Sequence, residues 1–174
     1  MTVHICVEPS YQTTTAWLKV AEAKDTLKFP GVDSCLAMAF LMASGEMVGT
    51  HTGVFGHGND FGNLMGDECS AKMLKAMLKR LTVYDGKISK FLMFTDVGHG
   101  GGGDFFHFDL DKLTDMVKKG RPEDIDMCKF NKTTGAIDIE MNGPASLLTI
   151  KRKKRTVLTM NFGKITAGTH DIPL

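Results

Sequence analysis

Cys35-Leu-Ala-Met-Ala-Phe-Leu-Met42, then Ala43-Ser-Gly-Glu46, then Met47-Val-Gly-Thr-His51 carries the main clue to the architecture of this chain. Two apolar runs joined by a short segment containing Gly45 have the pattern of an antiparallel hairpin. With the turn centred near Ala43, Cys35 falls opposite His51 on one face of a sheet. Directly opposed residues have Cβ atoms ~4.5–5.5 Å apart, close enough for an imidazole to take a proton from a thiol. A slip of one residue would put the two side chains on opposite faces. A helix is the other reading of Leu36 to Met42, because periodicity does not separate the two over so short a run. Cys35 as plain core is a further one, since cysteine is among the most buried residue types.

At 174 residues the chain is expected to form one domain, 1–174, with a core of its own. A hydrophobic content of 43% with 24% charged residues excludes a disordered or fibrous class. The net charge of +1 supplies no global field toward nucleic acid or membrane. No apolar run reaches the ~20 residues of a membrane-spanning helix. Met1-Thr-Val-His-Ile-Cys6 lacks the basic and long apolar regions of a signal peptide. The expected location is therefore cytoplasmic, or a host cytosol reached by export without such a signal. Cys6, Cys35, Cys69 and Cys128 form no C-x-x-C pair, which points to free thiols in a reducing compartment.

Val3 to Val7 is a short β-rich run, and Thr15 to Lys24 fits helix or strand equally. Pro30-Gly31 predicts a turn just before Val32-Asp-Ser-Cys35. Met73, Leu74, Met77, Leu78 and Leu81 recur at helical spacing, with Lys72, Lys75, Lys79 and Arg80 on the wet side and Asp67 or Ser70 as cap. Phe91–Phe94 reads as a buried strand, Asp104–Leu110 as another, and Leu113–Lys119 as a helix stopped at Gly120. Ala136–Glu140 alternates, and Ser146–Ile150 with Thr156–Met160 flank a charged turn, Lys151–Arg155. Strands on both sides of two helices predict an α/β sandwich, one domain of mixed or antiparallel sheet with helices packed on it.

Gly31-Val-Asp-Ser-Cys35-Leu-Ala-Met-Ala-Phe, with Val48-Gly-Thr-His51, resembles the Cys–His protein-glutamine deamidases. These are the chemotaxis receptor deamidases (CheD-like) and the catalytic domains of cytotoxic necrotizing factor-like toxins. The resemblance spans roughly residues 26–97. It implies that Cys35 is the nucleophile and His51 the general base. It also implies that backbone N–H groups near Ser34 and Cys35 form an oxyanion hole. A third group orients the histidine in that superfamily. The chemotaxis branch uses a threonine at the position of Phe29, whereas some toxins use a main-chain carbonyl. Phe29 can supply only its carbonyl, with Thr26 a substitute, which tilts the reading toward a toxin or effector. The implied reaction converts a target protein's glutamine to glutamate through an acyl-enzyme, with no cofactor and no metal, in a monomer that binds neither nucleic acid nor membrane.

Two rivals stand beside this reading. A papain-like protease or amidase would keep Cys35 and use His107, with Asp109 or Asp138 completing the triad. A non-catalytic binding protein would bury Cys35 and meet its partner through the glycine loops Gly53–Gly66 and Gly98–Gly103. His57, Asp60, His99, Asp104, His107 and Asp109 form a tempting metal set, but their spacings match no ligand motif. The basic run Lys151–Arg155 is expected to be a solvated turn, because no aromatic residues interleave it.

Overall fold

All seven residues of the strand Leu36–Met42 are buried, because a packed layer covers each of its faces. A computed structural model describes residues 1–7, 17–53, 64, 66–82, 86–96, 108–121, 124–132 and 135–174. In chain order its elements are β1 (Val3–Ile5), β2 (Leu18–Ala21), β3 (Thr26–Val32), β4 (Leu36–Met42), β5 (Met47–Thr52), α1 (Gly66–Leu81) and β6 (Ile88–Asp96). There follow α2 (Leu110–Gly120), β7 (Asp126–Lys132), β8 (Ile137–Asn142), β9 (Leu147–Arg152), β10 (Arg155–Asn161) and β11 (Gly168–Asp171).

The strands form two mixed sheets, ordered β11-β7-β6-β4-β5-β2 and β1-β3-β8-β9-β10. Side chains alternate across a strand, so β4 divides its residues. Ala37, Ala39 and Leu41 join the core between the sheets, with Leu27, Phe29, Ile139 and Phe94. Leu36, Met38, Phe40 and Met42 join a second core beneath the helices, with Met73, Leu74, Met77, Leu113 and Val117. The result is three layers, sheet on sheet with helices outside the six-stranded sheet, which is the α/β sandwich expected from the order of elements. The short residues Ala37 and Ala39 face the other sheet together with Leu41, whereas the four residues on the helix side are all long.

Several local expectations shift. The ambiguous segment Thr15–Lys24 contains strand β2, paired antiparallel with β5. Pro30-Gly31 does not end a strand. Both residues lie within β3, where the pairing with β8 slips between Phe29 and Val32. Proline has no N–H for the ladder and is tolerated at such an irregularity, and Gly31 supplies the left-handed φ of +62°. Helix α1 starts at Gly66, so Asp67 and Ser70 lie inside it. The Asp67 carboxylate instead accepts the N–H of Asp109 at 2.6 Å, and Asp109 caps α2 through Lys112 N–H at 3.0 Å. Leu110 begins α2, and the rest of the strand expected at Asp104–Leu110 falls largely outside the described residues. Strands β7 and β11 carry no turn signal, because they pair in parallel, β7 with β6 and β11 with β7. The basic run is a hairpin turn, with Lys153 and Lys154 at φ +50° and +65°.

Candidate active site

His51 is paired with Ala37 and Thr52 with Leu36, so the hairpin register differs by two residues from a turn centred on Ala43. The turn closes through Met42 N–H to the Glu46 carbonyl at 2.9 Å and Gly45 N–H to the Met42 carbonyl at 3.0 Å. Gly45 adopts φ +99°, which allows the sharp reversal. A shift of two preserves the face, because the side-chain period of a strand is two. Cys35, just ahead of β4, is therefore a diagonal neighbour of His51 on the side facing the second sheet. The longer reach of the imidazole closes the gap, and Cys35 Sγ lies 2.8 Å from His51 Nε2. The two residues are 4% and 3% exposed.

The other ring nitrogen, Nδ1, lies 3.3 Å from the main-chain carbonyl of Cys6. A carbonyl only accepts, so Nδ1 carries the proton and Nε2 presents its lone pair to the thiol. Burial pushes the His51 imidazole down from 6.5 to about 4, with the Cys6 carbonyl opposing part of that shift. At neutral pH the ring is therefore uncharged, in the tautomer that accepts a proton from sulfur. The N–H of Asp33 also points at Cys35 Sγ, at 3.4 Å.

The carbonyl that holds the histidine is that of Cys6, where the resemblance implied Phe29. The reason lies in the five-stranded sheet. Phe29 is paired with Ile139 of β8, whereas β1 lies parallel to β3 and its following residue, Cys6, reaches toward β5. Cys6 is secured there by its N–H to the Lys28 carbonyl at 2.8 Å and its thiol to the Gly49 carbonyl at 3.3 Å. Phe29 serves the site through its ring. An added Cβ at Gly49 would lie 2.6 Å from Phe29 Cζ and 2.7 Å from Leu27 Cδ2. The glycine of Gly49-Thr50-His51 is thus needed for close approach of the two sheets. Thr26 Oγ1 contacts Met1 Sδ at 3.8 Å and takes no part. Ser34 is exposed in the bend before β4, next to Cys35.

None of the four cysteines is in a disulfide, and all four are buried. Burial pushes the Cys6 thiol up to about 12 and that of Cys128 to about 11. Cys69 accepts a hydrogen bond from Thr52 Oγ1 at 3.4 Å. Cys35 is the one with an imidazole beside it among the described residues. His57, Asp60, His99, Asp104 and His107 lie outside the described residues, as do most of both glycine loops. Among the described residues no group of three His, Cys, Asp or Glu side chains is arranged to hold a metal. No helix among them is long and apolar enough to cross a membrane. Compared with protein-family models and with curated proteins, the sequence finds no match.

Proposed function

We propose that this chain is a cysteine-dependent amidohydrolase, with a glutamine side chain of a target protein as its substrate. The observation that carries the reading is the ordered line Cys6 carbonyl, His51 Nδ1–H, His51 Nε2, Cys35 Sγ, at 3.3 and 2.8 Å. A neutral imidazole fixed in that tautomer is the base a thiol nucleophile needs. His51 Nε2 takes the Cys35 proton as sulfur attacks the carboxamide carbon. The same proton then passes to the departing nitrogen, which leaves as ammonia. Water, deprotonated by His51, cleaves the thioester and releases glutamate. The tetrahedral oxyanion would find backbone N–H donors at the Ser34–Cys35 bend. The choice of glutamine over other amides rests on the family resemblance, and a toxin or effector role follows from it.

Incubation of the protein with a proteome, followed by mass-spectrometric mapping, tests the reading. Gln→Glu conversion with ammonia release, lost in Cys35→Ser, is the expected result. Cut chains would instead indicate a protease. A non-catalytic reading has the deep burial of Cys35 in its favour. It predicts neither product and a thiol that is inert until unfolding.

A further inference from the structure

Lys132, the last residue of β7, is fully enclosed, with none of its surface exposed. A buried ammonium is costly unless it is paired. Phe130 and Cys128 of the same strand point into the core between the sheets, so Lys132, two residues on, enters that layer as well. The row Ala37, Phe94, Phe130 crosses β4, β6 and β7 in register. Lys132 therefore lies at the end of the layer where Cys35 sits. Its Nζ is 3.6 Å from Asp33 Oδ1, and Asp33 directs its backbone N–H at Cys35 Sγ, 3.4 Å away. The bend is gripped at its other end too, because Gly31 N–H donates to Asp138 Oδ1 of β8 at 2.8 Å.

Building on the Cys–His reading, we propose that Lys132 and Asp33 form a positioning pair: the ion pair holds the 31–35 bend so that the Asp33 N–H stays aimed at the Cys35 sulfur. A donor pointed at sulfur favours the thiolate over the thiol. Among the described residues, the titratable groups tied to Cys35 or to its bend include His51 from β5, Asp33 from the bend itself, Lys132 from β7 and Asp138 from β8. Neither Lys132 nor Asp33 acts on the substrate, and the effect passes through the backbone.

The sign of one substitution separates positioning from simple charge. Asp33→Ala removes a negative charge near the sulfur, which by electrostatics alone would make the thiolate easier to form. Loss of positioning makes it harder. The measurement is the rate of iodoacetamide alkylation of Cys35 across pH in wild type, Asp33→Ala, Lys132→Met and the double variant. We expect each single variant to slow alkylation near neutral pH by about tenfold and to move the midpoint upward by about one pH unit. The double variant should be no slower than the singles, since both act through one contact. Faster or unchanged alkylation in folded Asp33→Ala overturns the proposal. Asp33 is more than half exposed, so that variant decides the matter even if Lys132→Met does not fold. If His51→Ala slows alkylation while Asp33→Ala does not, only the positioning pair fails. If His51→Ala has no effect, the dyad itself fails.

Discussion

The main-chain carbonyl of Cys6 accepts the Nδ1–H of His51 at 3.3 Å and thereby decides which nitrogen faces Cys35. The acceptor belongs to the backbone, so the identity of side chain 6 is a separate matter. Cys6→Ala should keep the dyad and its alkylation rate, and should lower stability by about 1 kcal/mol through the lost thiol packing and its bond to Gly49. His51→Ala should slow alkylation of Cys35 by at least about tenfold, because the thiol loses its base. Peptide mapping of the labelled cysteines checks both. An equal loss of labelling in Cys6→Ala would mean that the side chain, not the carbonyl, supports the histidine.

Acid stability offers an independent reading of His51. The folded imidazole binds a proton only near pH 4, whereas the unfolded one binds it near 6.5. Between those values the unfolded chain holds more protons, so stability rises with pH through this window and is lost as pH falls. The shift corresponds to roughly 3 kcal/mol lost by the time pH reaches 4. Urea unfolding at pH 7 and pH 4.5 should show this slope in wild type and a shallower one in His51→Gln. Equal slopes would place His51 in water.

At Gly49 the β5 backbone lies directly against side chains of the second sheet. A methyl group there meets the Phe29 and Leu27 side chains at 2.6 and 2.7 Å. Gly49→Ala should cost about 1–3 kcal/mol through overpacking. It should also slow alkylation of Cys35, because pushing Leu27 and Phe29 away shifts β3, to which the Cys6 backbone is bonded through the Lys28 carbonyl, and with it the Cys6 carbonyl that orients His51. Phe29→Leu in the same chain should recover part of the loss by making room. A Gly49→Ala variant as stable as wild type would contradict the packing described.

Local signals account for much of the architecture. The apolar runs around Ser44-Gly45 specify the β4–β5 hairpin, Lys151–Arg155 specifies the β9–β10 turn, and the 3.6-residue spacing of Met73, Leu74, Met77 and Leu81 specifies α1. Cys35 and His51 were legible as a pair for the same reason. Both belong to one hairpin, and a two-residue error in register leaves every side chain on its proper face. What supports that pair was not legible. The Cys6 carbonyl comes from 45 residues away in sequence, delivered by a parallel pairing of β1 with β3 that no turn announces. A main-chain acceptor has no residue type by which to recognise it. Lys132 reads as an ordinary surface lysine, and only the stacking of one sheet on the other encloses it beside Asp33. Short-range hydrophobic pattern and turn chemistry thus determined which residues could meet. Long-range strand pairing, invisible to periodicity, decided which groups hold them in place.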